Sequence, residues 1–277
     1  MSSLYTFEAS DNRLKRSLLG HMRYASHYLP FFIFWVRRGI KVRYSQTSVG
    51  ILWAVLQPLL SSLVYIIVFS LVVRISTGSV PYPVFIVTSI VLWTYSARII
   101  TSSASSIISH IDIVTRVRFP REFLPLSVWV ESLIDLFFGV LILIVIYAIY
   151  QQPIQPTAPI ALYVFTVHSM FALGLGFIFA GLTSYVRDLL QVLPILIQLL
   201  LYISPVIYPL AYVPETVRSL FLLNPFGPIF AAYQQTLLFG EFTMLPEMIY
   251  VTVIALVTLI GGYLFFKRME WKFADAL

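Results

Sequence analysis

Arg43-Tyr44-Ser45-Gln46-Thr47-Ser48-Val49-Gly50-Ile51-Leu52-Trp53-Ala54-Val55-Leu56-Gln57-Pro58 joins a basic, aromatic lead-in to the first long apolar run of the chain. Eight of the eighteen Lys and Arg residues lie at or before Arg43, and beyond this stretch most of the chain is apolar. Cations sit at headgroups, aromatic rings sit in the interfacial belt, and a proline is tolerated inside a membrane helix. Arg43, Tyr44, Trp53 and Pro58 therefore mark a hinge from a charged surface into a bilayer core. A division follows: residues 1–50 form a cytoplasmic N-terminal region and 51–277 a transmembrane domain.

The bulk numbers agree. Of 277 residues, 59% are hydrophobic and 11% charged, against about 45–50% and about 25% in a soluble protein. Mean hydropathy is +0.89. The chain reads as an all-α integral membrane protein. The net charge of +6 is no nucleic-acid signal, because the cations cluster at particular loops, as membrane orientation requires. There is no cysteine, so no disulfide or thiol chemistry. The first 30 residues hold no apolar stretch beside a small-residue cleavage site, so no secretory signal is read there.

Working outward, residues 28–43 (YLPFFIFWVRRGIKVR) place Phe31, Phe32, Phe34 and Trp35 before Arg37, Arg38, Lys41 and Arg43. The apolar part is shorter than the ~20 residues of a span. It reads as an amphipathic helix in the interface, rings in the acyl boundary and cations at headgroups; the alternative is a soluble helix packed on the protein. Hydropathy then predicts six spans, at roughly 51–73, 84–106, 124–149, 159–183, 189–209 and 246–266. The apolar stretch 220–240 is broken by Asn224-Pro225 and Gly227-Pro228. The residue before a proline is pushed out of the helical region, so this stretch is expected as a re-entrant or outer hairpin.

Fifteen cations fall on one side of that topology, in the N-terminal region, the 2–3 loop, the 4–5 loop and the tail 267–277. The positive-inside rule places both termini in the cytoplasm.

No G-x-x-x-x-G-K-[ST], H-E-x-x-H or G-x-S-x-G occurs, and the four histidines are scattered. The chain has no P-loop of its own, and no metal cluster is read. The 2–3 loop, His110 to Glu122, is short, basic and stopped by Pro120. Either it docks on a cytoplasmic partner or it merely orients the helices. Glu131 and Asp135 share a face of the third span. Intramembrane carboxylates suggest a pathway or a buried pair; a relay would need Arg98 as its cation, and the bland reading is an interfacial Glu131 with a structurally bonded Asp135. Ser102, Ser103, Ser105, Ser106 and Ser109 suit close helix packing or a polar surface leading inward. Tyr65, Phe69, Trp93, Tyr95, Tyr202 and Tyr208 are candidates to line a conduit, since aromatic faces stack on sugar rings.

Several of these residues together carry a resemblance over nearly the whole chain. Arg43-Tyr44-Ser45-Gln46-Thr47 with Gly50, Trp53 and Pro58; Phe119-Pro120-Arg121 followed by Leu124-Pro125; Arg187-Asp188; Ser204-Pro205 with Tyr208; and Asn224-Pro225 occur in this order across six spans. So arranged, the chain resembles the membrane subunit of an ABC-2 type ABC transporter, in the branch exporting O-antigen, capsule or teichoic acid. The resemblance implies a homodimer forming a channel in a bacterial inner (plasma) membrane. It implies two copies of a separate nucleotide-binding subunit that carries ATP and Mg, and an undecaprenyl-type lipid-linked polysaccharide as substrate. Residues 28–43 would be the interface helix, 110–121 the coupling helix with Arg116, Arg118, Phe119, Pro120 and Arg121, and 220–240 the short outer helices. A lipid pyrophosphate would meet Arg37, Arg38, Lys41 and Arg43, since phosphates favour clustered cations. Trp53, Pro58, Arg187, Asp188, Asn224 and Pro225 would be structural. This chain itself would be no enzyme. The readings left open are an ABC-2 permease for a drug or small lipid, a membrane-embedded glycan-modifying enzyme using Glu131 and Asp135, and a proton-coupled carrier.

Overall fold

A computed structural model describes residues 18–45, 49–117 and 119–270, and every regular element among them is helical. The chain opens with α1 (Leu18–Ser45). A tight turn at Gly50–Leu52 leads into α2 (Trp53–Tyr65), which runs on as a wider π-helical stretch over Ile66–Val72. Then come α3 (Tyr82–Ser106), the short α4 (Ile111–Arg116), α5 (Phe123–Ile149), α6 (Ile160–Thr183) and α7 (Leu189–Ile203). The chain continues through α8 (Glu215–Leu223) and α9 (Phe226–Gln234), and closes with α10 (Leu245–Glu270).

Four of these, α3, α5, α6 and α10, are long and apolar enough to cross a membrane. At about 1.5 Å per residue each exceeds the ~30 Å hydrocarbon core. Their bounds follow the apolar runs closely, because a long run with few charges can satisfy its backbone in lipid only as a helix. The fifth expected span is shorter than its apolar run. It was expected to reach 209, and α7 stops at Ile203. Ser204 is extended (φ −104°, ψ 148°) because Pro205 follows it. Within α2, Pro58 has no N–H to donate, and Ser62 Oγ bonds its carbonyl at 2.7 Å.

The core sits around α3. Its residues 84–93 are buried without interruption, as expected of a helix apolar on every side. Helices α2, α5, α6 and α9 pack around it. The most extensive pairing is α6 against α10, where the backbones meet at glycine. A Cβ on Gly174 would lie 2.6 Å from the backbone nitrogen of Leu259, and one on Gly262 would strike the Gly174 carbonyl. Small residues permit such close approach without a hydrophobic force between helices. Outward, Phe137, Ile144 and Val145 of α5 and Val253, Val257 and Leu264 of α10 are exposed. An apolar exterior of this extent is what a lipid-facing surface demands.

The 220–240 stretch is two helices meeting at Asn224-Pro225. All nine residues of α9 are buried. Its start packs on the middle of α3 and α6, with Phe226 against Trp93 and Phe171. Its end is a π-helical turn, Gln235–Phe239. There the carbonyls of Thr236 and Leu238 accept from Thr157, Gln152 and Gln155 in the 3–4 loop. Those bonds satisfy the orphan acceptors of the helix end.

Of the rings Phe31, Phe32, Phe34 and Trp35, three turn inward instead of outward. Phe31 packs on Phe119, Phe32 on Phe123 and Trp35 on His110, while Phe34 is 62% exposed.

Candidate functional site

Four charged side chains converge where α1, α3 and α5 meet. Arg98 lies eight residues from the end of α3 and Glu131 eight residues from the start of α5, so both sit at one level, roughly 12 Å along the helices. Asp135, one turn beyond Glu131, is in direct contact with Arg98. Arg98 Nη2 is 3.8 Å from Glu131 Oε2. The fourth member comes from α1: Arg43 Nη2 donates to Glu131 Oε2 at 2.9 Å, and its Nη1 lies 3.5 Å from Asp135 Oδ2. Two cations face two carboxylates, so the cluster is neutral. Neutral pairing is what lets charge persist away from water.

Glu131 reaches Arg43 because Gly39 leaves room. A Cβ at Gly39 would overlap the Glu131 carboxylate, so α1 lies directly on that side chain. Gly39 and Arg43 are one turn apart and form a socket, the glycine its floor and the guanidinium its lid. Two cavities flank it. One, of about 620 Å³, lies between α2, α3 and α5 and is lined by Arg43, Trp53, Gln57, Arg98 and Asp135. The other, of about 410 Å³, is lined by Arg38, Arg43, His110, Glu131 and the serines Ser102, Ser105, Ser106 and Ser109. Arg43 borders both.

The 2–3 loop forms the helix α4 and is fastened to the chain on two sides. Phe119 and Pro120 are buried, Phe119 beneath Phe31 and Trp35. Arg121 Nη1 donates to the Glu270 carbonyl at 2.6 Å, and Lys267 Nζ bonds Glu122 at 2.6 Å. What remains outward is Asp112, Thr115, Arg116 and Val117. Arg118 lies outside the described residues.

The sequence model of ABC-2 type transporters matches residues 30–238. The chain belongs to the ABC-2 type transporter family. It is 29% identical over 254 residues to the O-antigen export system permease protein RfbA of Myxococcus xanthus, covering 90% of this chain and 96% of that one. A Klebsiella pneumoniae protein of the same name is 27% identical over 259 residues, covering 92% and 98%. The polysialic acid transport protein KpsM of Escherichia coli is 21% identical over 234 residues, covering 84% and 91%.

In this ABC-2 chain the six aromatic conduit candidates part into two groups. Trp93 and Tyr95 are core residues: Trp93 is 5% exposed against Phe226 and Phe230, and Tyr95 bonds Ser169 and Trp129. Of the other four, Tyr202 is exposed, and Tyr65, Phe69 and Tyr208 are half-buried against the core. Tyr65 and Phe69 pair at 6.3 Å on α2 and its π-helical extension, and Tyr202 of α7 neighbours Tyr65. Arg37 and Lys41 are exposed, and Arg38 stacks over Trp35 at 5.2 Å. Trp53 is exposed and Pro58 buried. Arg187 and Asp188 are exposed at the start of α7. Asn224 joins two motif prolines: its Nδ2 bonds Ser204 Oγ at 2.9 Å, and its Oδ1 accepts from the Phe226 amide at 3.2 Å. Sequence reasoning missed Arg43 as a partner of Glu131, since no spacing rule links residues 88 apart.

Proposed function

We propose that this chain is the channel-forming membrane subunit of an ATP-driven exporter of lipid-linked cell-surface polysaccharide. The observation carrying this reading is end-to-end similarity to permeases named for O-antigen export and polysialic acid transport. ATP and Mg belong to a separate nucleotide-binding subunit, consistent with the lack of a P-loop motif in the sequence. The outward face of α4, with Asp112, Thr115 and Arg116, is its docking surface, and Arg118 belongs to the same loop. Arg121 braces that surface from behind.

The proposed topology has six spans with both termini in the cytoplasm of a bacterial inner membrane. Helices α2 and α7 supply the two spans beyond the four long ones. Helices α8 and α9 form a re-entrant hairpin. Two contacts support it: α9 begins against Trp93, about 16 Å along α3 from Tyr82, and ends at the 3–4 loop. Two copies pair through the exposed apolar faces of α2 and α7, which include Leu60, Leu63, Val64, Ile195 and Leu199. The strip of Tyr65, Phe69, Tyr202 and Tyr208 borders the conduit. Arg37, Arg38, Lys41 and Arg43 receive the lipid pyrophosphate.

The experiment is purification of the tagged protein in mild detergent with ATPase assayed on what accompanies it. A P-loop ATPase in equal amount, lost when Arg116 and Arg118 are replaced, supports the exporter. A chain that purifies alone and without ATPase sinks it.

A further inference from the structure

Arg43 is the only member of the four-charge cluster that does not come from the tightly packed pair α3 and α5. Arg98 and Asp135 are on those helices and touch each other. Arg43 arrives on α1, its guanidinium side chain is 32% exposed, and it lines both flanking cavities. Glu131, its partner, is 8% exposed and held in the socket made by Gly39. Glu131 also has a second cation beside it: Arg98 Nη2 lies 3.8 Å from Glu131 Oε2, within ion-pair distance.

We infer that the Arg43–Glu131 contact is a releasable latch holding α1 on α5, and that a diphosphate headgroup opens it by taking Arg43. This rests on the exporter reading above and adds its trigger. A diphosphate accepts bidentate bonds from a guanidinium and carries more charge than a carboxylate, so it competes for Arg43. Losing its cation would leave Glu131 a buried, uncompensated charge. Here that penalty is met within the cluster, because Glu131 closes on Arg98, already at ion-pair distance. Partners are exchanged and no charge is left bare. The ligand acts only through its preference for the unlatched form, as any population shift requires. Because α1 also carries Trp35 and Phe31, stacked on the 2–3 loop, its release is felt where the ATPase docks.

The test uses this chain's lack of cysteine, which allows spin labels at Phe34→Cys on α1 and Phe137→Cys on α5 with no background from this chain. Both sites are exposed. The complex in lipid nanodiscs is measured by pulsed electron spin resonance, with singly labelled controls to remove distances between copies. The expected wild-type result is a longer main distance when a polyprenyl diphosphate is added. Glu131→Gln shows the longer distance without ligand. The exchange Arg43→Glu with Glu131→Arg keeps the short distance with and without it, since the latch is rebuilt with its cation on α5 and none at position 43. Soluble pyrophosphate is the second arm. A shift with both ligands makes the diphosphate the recognised group, and a shift with the lipid alone adds the prenyl chain to what is recognised. No shift with either, or a Glu131→Gln distance equal to unliganded wild type, overturns the latch. Failure here with an ATPase still co-purifying condemns the latch alone, whereas loss of that ATPase condemns the exporter reading.

Discussion

Asn224 Nδ2 donates to Ser204 Oγ at 2.9 Å, tying the end of α7 to the break between α8 and α9. Both residues precede a proline, so both are pushed out of helical geometry with backbone groups to satisfy. The same asparagine accepts from the Phe226 amide, opening α9 as an Asx turn does. Asn224→Ala removes both bonds and is expected to cost on the order of 1–2 kcal/mol. Ser204→Ala removes one and costs less. Thermal midpoints in detergent check the order; equal midpoints for wild type and Asn224→Ala would refute the brace.

Arg116 and Arg121 share a loop but not a role. Arg116 is exposed and Arg121 is bonded to the Glu270 carbonyl. Arg116→Ala is expected to weaken association with the nucleotide-binding subunit about tenfold, the equivalent of about 1.4 kcal/mol, with the thermal midpoint unmoved. Arg121→Ala forfeits a charge-assisted bond of about 1.5–3 kcal/mol and lowers the midpoint. Binding and melting measured on both variants decide it; a midpoint drop for Arg116→Ala matching that of Arg121→Ala would merge the two roles.

Much of the fold was legible because lipid leaves so few choices. The runs at 84–106, 124–149, 159–183 and 246–266 each returned a helix with bounds shifted by a few residues. The end of α7 was not legible from hydropathy, because Ser204-Pro205 interrupts an apolar run without making it polar. Its signal was the proline itself. The charge cluster was half legible. Glu131 and Asp135 announced a shared face and Arg98 a candidate cation, but Arg43 was read only as one headgroup cation among four. Its exposure to both the carboxylates and the cavities is a property of the α1 to α5 approach that Gly39 permits. Trp93 and Tyr95 are core residues for two reasons: Trp93 closes the almost wholly apolar run 84–93 of α3, and such a run is buried, whereas Tyr95 is held by Ser169 and Trp129 of neighbouring helices, which no local pattern shows.

Gly174 and its neighbour in space Gly262 set the α6 to α10 distance, whereas Gly261 faces open space. Gly174→Ala is expected to destabilise by about 1–3 kcal/mol, as overpacking does. Gly261→Ala meets nothing and is expected to be neutral to stabilising by up to about 1 kcal/mol, the gain in helix propensity. The pair isolates steric approach from helix propensity, which both substitutions change alike. Matching melting curves for the two variants would remove the close-packing argument.

Trp93 and Tyr202 separate packing from passage. Trp93 fills the space between α3 and α9, and Trp93→Ala is expected to cost about 3–5 kcal/mol, with the protein recovered in low yield. Tyr202 is 46% exposed beside Tyr65, and truncating it removes little buried area. Tyr202→Ala is therefore expected to keep stability within about 0.5 kcal/mol of wild type, as exposed substitutions do. If sugars slide over this ring, export of polysaccharide falls while ATPase activity and complex yield hold, and Tyr202→Phe restores export because the face is kept. Loss of export in Tyr202→Phe as well as Tyr202→Ala would mean the hydroxyl, not the ring face, is what the site uses. Unchanged export in both would move the conduit away from α7.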